Sequence, residues 1–131
     1  MTKQPIYPGG RNTAAAAYTP GIAVGDLVFV SGQGPLNPHT MAFENLDIAH
    51  QTRRTLENVR EILQEAGCSM ADVVKATVHL QNIHDFAAFN AVYEQFFDSP
   101  RPARTTVQSV LGAGISVEID VIAIRGCGGK A

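Results

Sequence analysis

The segment from Asp47 to Ala66 restricts the fold more than any other part of the chain. Ile48, Thr52, Leu56, Val59, Ile62, Leu63 and Ala66 recur at three- and four-residue spacing, while Arg53, Glu57, Arg60, Glu61 and Glu65 take the opposite side. That pattern is an amphipathic helix whose apolar stripe must be buried. Asp47 suits its N-cap, and Gly67 suits the left-handed residue that stops it.

The surrounding segments read mainly as strands. LVFVSGQ, residues 27–33, opens with four consecutive apolar residues, as a strand covered on both faces would. Ahead of it, Ala14 to Val24 reads as an edge or bulged strand interrupted by Pro20-Gly21, with Gly25-Asp26 as a tight turn. Residues 35–40, PLNPHT, are a loop. Asp72 to Leu80 sets Val74, Ala76, Val78 and Leu80 against Val73, Lys75, Thr77 and His79, the alternation of a half-buried strand. A second helix is predicted from about Asp85 to Phe97, with Phe86, Phe89, Tyr93, Phe96 and Phe97 as a mostly core stripe. RTTVQSV and VEIDVIAIR follow as strands, with the glycine-rich LGAGIS between them read as a turn joining antiparallel partners. GCGGKA reads as a disordered tail.

The order strand, strand, helix, strand, helix, strand, strand predicts an α+β domain: a mixed β-sheet with two helices packed on one face. At 131 residues a single domain, 1–131, accounts for the chain. Strands 27–33 and 117–125 are apolar on both faces, so a partner subunit is expected to cover the second face of the sheet.

Several function classes drop out. A net charge of −2 with scattered Lys and Arg argues against a nucleic-acid partner, which normally meets a basic patch. No apolar stretch reaches the length of a signal peptide or a membrane span, so a cytoplasmic protein with no membrane partner is expected. Cys68 and Cys127 lack CxxC spacing, and His39, His50, His79 and His84 fall in no metal-ligand pattern, so free thiols and neither metal nor cofactor are expected. The GxG of LGAGIS precedes a strand rather than a helix, which excludes a dinucleotide fingerprint, and Ser31 sits in no GxSxG elbow.

Two features carry chemistry. Glu118 and Asp120 alternate with Val117, Ile119 and Val121, although carboxylates are rarely buried unless paired. Either that face meets solvent, or Glu118 pairs with Arg104 on a neighbouring strand or across an interface. Arg104 opens a β-branched run and shares a strand face with Thr106, so a guanidinium and a hydroxyl point the same way.

AYTPGIAVGDLVFVSGQGPLNPHT, QTRRTLENVREILQEAG, NIHDFAAFNAVYEQFF, RPARTTV and VEIDVIAI together resemble the YjgF/Rid family of reactive-intermediate deaminases, also catalogued as endoribonuclease L-PSP. The resemblance runs from Tyr18 to Arg125. It implies a chorismate-mutase-like α+β fold and a homotrimer with a ligand pocket in each subunit interface. It implies that Arg104 clamps a substrate carboxylate and that Glu118 assists a water, with Tyr18, Ser31, Gly32, Asn90 and Thr106 lining the pocket. The implied reaction hydrolyses small carboxylate-bearing imines or enamines to 2-oxo acids and ammonia. The chain departs from the family pattern at Gly34, Met41, Thr19-Pro20-Gly21 and the 111–116 turn, all around the implied pocket mouth.

Arginine suits this role because its planar fork accepts a carboxylate bidentately and stays charged. Iminium carbons are already electrophilic, so a held water and acid–base help of roughly 10²–10⁴-fold suffice. Two other roles fit the same cleft. One is a dedicated catabolic deaminase of the 2-aminomuconate type, with Arg101 and Arg11 as candidate extra cations; the other is a non-catalytic ligand-binding or holdase-like protein. A ribonuclease is disfavoured, because no basic groove or acid–base histidine pair is evident.

Overall fold

The structure, a computed structural model, describes residues 1–10, 16–43 and 46–129. Its long helix α1 spans Ile48–Glu65; Asp47 Oδ1 accepts the His50 N–H at 2.9 Å as the N-cap, and Gly67 follows at φ +80°. Cap and stop are those the sequence announces.

Among the described residues eight strands form two sheets. Strands β1 (Gln4–Ile6), β2 (Gly21–Val24), β3 (Leu27–Gln33), β6 (Val73–Leu80), β7 (Ala103–Gln108) and β8 (Val117–Ile124) make a six-stranded sheet ordered β1-β2-β3-β8-β6-β7. Every pairing is antiparallel except β6 with β7. Strands β4 (Leu36–Asn37) and β5 (Ala42–Phe43) form a small separate hairpin. The second helix, α2, is Phe86–Tyr93.

Both helices cover one sheet face. Val28, Val30, Ala76, Val78, Leu80, Val117, Ile119, Val121 and Ala123 meet Leu56, Val59, Ile62, Leu63, Phe89 and Tyr93 in one core. This is the α+β arrangement expected from the pattern. The other face is left uncovered by the described residues: Leu27 and Phe29 are 40% and 41% exposed and pair with Ile124 and Ile122.

Five local expectations need correction. Of the strand expected over Ala14–Val24 only β2 forms, beginning after Pro20, which has no N–H for the ladder, while β1 ahead of it was not foreseen; Ala14 and Ala15 lie outside the described residues. In β6 the ladder to β8 shifts between Val73 and Lys75, so Val73 is buried and Val74 is exposed, the reverse of the simple alternation. The predicted second helix is broken into α2 flanked by 3₁₀ turns at Ile83–Asp85 and Glu94–Phe96, and Phe86 is left exposed.

The 111–116 segment does not join neighbouring strands, because β6 lies between β7 and β8. It crosses the end of β6 instead, held by Gln81, whose N–H donates to Ser116 O and whose Oε1 accepts the Leu111 N–H. The 126–129 stretch of the tail is also fastened rather than loose. Gly128 N–H donates to Asp72 Oδ1 at 2.8 Å, and Cys127 Sγ lies 3.3 Å from Asp72 O. Lys130 and Ala131 lie outside the described residues.

Candidate functional site

Arg104 lies at the second position of β7, the edge strand, where parallel pairing sets it beside Ala76. Ala76 faces the helices, and so does Arg104. Its Nη1 donates to Asn90 Oδ1 at 2.7 Å. The guanidinium carbon sits 4.7 Å from the Tyr93 ring centroid, 5.3 Å from that of Phe86 and 5.8 Å from that of Phe89. Aromatic faces attract a cation this close, each by roughly 0.5–1 kcal/mol when exposed and more when desolvated. The fork is therefore aimed by one hydrogen bond and three rings, while Nη2 and Nε make no hydrogen bond to the described residues.

Beside it opens a cleft of about 350 Å³ lined by Asn90, Tyr93, Glu94, Arg101, Pro102 and Arg104. Two hydroxyls nearby are unusual. Thr106 Oγ1, two residues along the same strand face, and Tyr93 Oη are buried with no hydrogen-bond partner among the described residues. Burial pushes the Tyr93 phenol up from its ordinary pKa, and the Arg104 charge opposes that only in part. Tyr93 was legible in the sequence only as a core aromatic.

Glu118 is elsewhere. Val117 and Ile119 point into the core, so Glu118 and Asp120 belong to the uncovered face. Strand β6 separates β8 from β7, and Arg104 faces the opposite side of the sheet, so one chain does not bring Arg104 and Glu118 together. Glu118 instead lies against Gly32, at a bulge where the β3–β8 register shifts between Val30 and Gln33. A Cβ at residue 32 would come within 2.5 Å of Glu118 Oε2, so the absent side chain makes room for the carboxylate.

Ser31, next to it, spends its hydroxyl on the preceding loop: Oγ donates to Thr19 O at 2.6 Å, and its N–H donates to Pro20 O at 2.9 Å. Tyr18 is 62% exposed and borders a separate, mainly apolar cavity of about 170 Å³ with Pro20, Gln33, Met41 and Glu61. Further along the uncovered face, His79 Nδ1 lies 2.8 Å from Ser109 Oγ, and its Nε2 lies 3.9 Å from Asp120 Oδ2. Burial raises the Asp120 carboxyl above its usual range, against the pull of His79 and Lys75.

The seven residues singled out in the sequence thus fall into three groups. Arg104, Asn90 and Thr106 share the β7 edge, Glu118, Gly32 and Ser31 share the β3–β8 bulge, and Tyr18 stands on a third rim. Among the described residues no three His, Cys, Asp or Glu side chains converge as a metal would need, and no helix is long and apolar enough to cross a membrane.

The sequence matches the Endoribonuclease L-PSP family over residues 10–125. A RutC family protein of Pyrococcus abyssi is 40% identical over 126 residues, covering 95% of this chain and 99% of the relative. The 2-iminobutanoate/2-iminopropanoate deaminase of Salmonella typhimurium is 40% identical over 116 residues, covering 86% and 90%. Among solved structures, Escherichia coli TdcF with bound serine superposes with a TM-score of 0.84 at 38% identity, covering 94% of this chain and 99% of that one. The Escherichia coli YjgF gene product gives a TM-score of 0.84 at 35% identity, covering 93% and 98%.

Proposed function

The chain belongs to the Endoribonuclease L-PSP family, and from that membership we propose that it hydrolyses 2-imino and 2-enamino acids to 2-oxo acids and ammonia. The observation that carries this reading is Arg104: a guanidinium fixed by Asn90 and three aromatic rings, with two of its nitrogens making no hydrogen bond among the described residues, at the side of a cleft sized for a small molecule. The relatives named as 2-iminobutanoate/2-iminopropanoate deaminases support the same chemistry.

Arg104 Nη2 and Nε bind the substrate carboxylate and hold the adjacent C=N carbon in place. Water attacks that carbon as one of its protons passes through the Glu118 carboxylate to the imine nitrogen; the hydroxyl proton of the resulting carbinolamine then takes the same route, so the nitrogen leaves as ammonia and the 2-oxo acid remains. Because Arg104 and Glu118 lie on opposite sheet faces, the site is completed by a second copy, whose uncovered face brings Glu118, Gly32 and Ser31 to the first copy's β7 edge. A homotrimer closes this contact and buries Leu27 and Phe29. Each chain acts as one domain in that assembly.

A second reading has one observation in its favour. Arg101 lines the same cleft as Arg104, and a second cation suits a dicarboxylate of the 2-aminomuconate type. The test supplies 2-iminobutanoate, generated in place by an amino-acid oxidase, and follows ammonia release with and without the protein. Acceleration above the spontaneous rate that disappears in Arg104→Ala is expected. An unchanged rate with wild-type protein refutes the deaminase reading, and faster turnover of a dicarboxylate imine favours the second.

A further inference from the structure

Tyr93 is 3% exposed, and its hydroxyl has no hydrogen-bond partner among the described residues. Buried hydroxyls are nearly always satisfied, and phenylalanine would pack the same ring without that cost. Neighbouring positions of the aromatic stripe, Phe86, Phe89 and Phe97, are phenylalanines. The hydroxyl therefore needs an account that packing does not supply.

Its surroundings point to one. Tyr93 lines the cleft that Arg104 lines, and its ring lies under the guanidinium at 4.7 Å. Asn90 Oδ1 already accepts from Arg104 Nη1, so the groups left around the guanidinium are mainly donors: Nη2 and Nε of Arg104, the Tyr93 O–H and, further out, Arg101. Burial keeps the phenol protonated at neutral pH, which leaves it a donor. Glu94, the one acidic residue on the cleft, is exposed to solvent. A planar anion with several lone pairs complements that set, and a carboxylate has that shape.

We propose that the Tyr93 hydroxyl is a second donor to the substrate carboxylate and selects 2-imino acids against imines that lack one. This rests on the reading of Arg104 as the carboxylate clamp. A buried donor left unpaired by the wrong ligand discriminates more sharply than an apolar pocket wall does.

Tyr93→Phe keeps the ring beneath Arg104 and removes only the hydroxyl. The first measurement is calorimetric binding of 2-oxobutanoate, the stable carboxylate product. Binding should weaken about 10- to 100-fold in the variant, the span of a lost hydrogen bond to a charged group. In turnover of 2-iminobutanoate the loss should appear in KM more than in kcat, and the preference over the imine of butanone, which has no carboxylate, should shrink by a similar factor. A purely structural hydroxyl would instead lower the melting temperature of the ligand-free protein; the proposal expects it to stay level or rise. Equal 2-oxobutanoate affinity in the two proteins overturns the inference, as does wild-type protein that does not bind the probe. If the wild type binds 2-oxobutanoate but hydrolyses no imine, the deaminase reading falls while calorimetry still decides on Tyr93. Should Tyr93→Phe fail to fold, the ¹³Cζ resonance of Tyr93 in labelled wild type must shift on adding 2-oxobutanoate, and a static signal overturns the proposal.

Discussion

Replacing Gly32 with alanine would put a methyl carbon 2.5 Å from Glu118 Oε2 and 2.9 Å from its Cδ. Carbons do not approach that closely, so one group must move, and the end of a half-buried side chain gives way before a paired strand does. The backbone at Gly32 is not at positive φ, so alanine introduces no conformational strain. Folding should therefore lose less than about 1 kcal/mol, while the carboxylate is pushed away from Gly32. If Glu118 holds the attacking water, that displacement should cost about 10²-fold or more in kcat, the scale of a lost general base. The assay compares 2-iminobutanoate hydrolysis by wild type, Gly32→Ala, Glu118→Ala and the double variant, with denaturation midpoints and sedimentation mass for each. Acting through Glu118, the glycine change should add nothing once that carboxylate is gone. A wild-type rate in Gly32→Ala, or an equal further loss in the Glu118→Ala background, refutes the reasoning.

Arg104→Lys should lose about 10²-fold in kcat/KM despite keeping the charge, because an ammonium is a point donor rather than a fork; near-wild-type rates in Arg104→Lys or Arg104→Ala would end the clamp reading. Asn90→Ala frees Arg104 Nη1 from its 2.7 Å bond and should raise KM with the assembly intact, and unchanged kinetics would show that the bond does no positioning. On the proposed trimer, Phe29→Asp puts a charge on the uncovered apolar face and should reduce the sedimenting particle from three chains to one of 14.0 kDa, whereas a trimer of unchanged mass would place the interface elsewhere. Burial would raise the Asp72 carboxyl, but bonds from the Ser69, Gly128 and Gly126 N–H groups outweigh it and hold the group below its usual 3.8. Its contribution to stability is thus complete above about pH 4 and lost as pH falls through the lowered value. The melting-temperature gap between wild type and Asp72→Asn should be open at pH 7 and close in acid, and a gap independent of pH contradicts this account.

What could be read before the structure was known follows the range of the forces involved. Helix α1 was legible end to end because its stripe, its Asp47 cap and its Gly67 stop are all local. Placement of β6 between β7 and β8 was not, since a strand's choice of partner depends on residues tens of positions away, and the bulge at Val73–Lys75 reverses a face that strict alternation assigns. The same limit governs the site. Period two correctly puts Arg104 and Thr106 on one face, but it relates residues only within a strand and cannot say which faces two strands share. Glu118 was therefore left with two readings, and only the sheet order shows that β6 and the sheet itself divide it from Arg104. Tyr93 was hidden for another reason. An aromatic at helical spacing signals core whatever its para substituent, and a hydroxyl's need for a partner appears only when its neighbours are known.

The division of the site across the sheet has a physical rationale on the proposed reading. Had Arg104 and Glu118 shared a face on adjacent strands, they would form an ion pair, and the guanidinium would be neutralised by the protein's own carboxylate before any substrate arrived. Strand β6 and the thickness of the sheet prevent that encounter within a chain. Arg104 is aimed instead by groups that do not compete for its charge, the Asn90 carbonyl oxygen and three aromatic faces, so two of its nitrogens stay available. Glu118 makes no ion pair among the described residues either, and Gly32 gives it space in place of a partner. Both ends of the chemistry are then kept apart until the β7 edge of one copy meets the uncovered face of another. At that point the substrate carboxylate, not Glu118, is the anion placed against the fork, and Glu118 remains free to accept a proton from water.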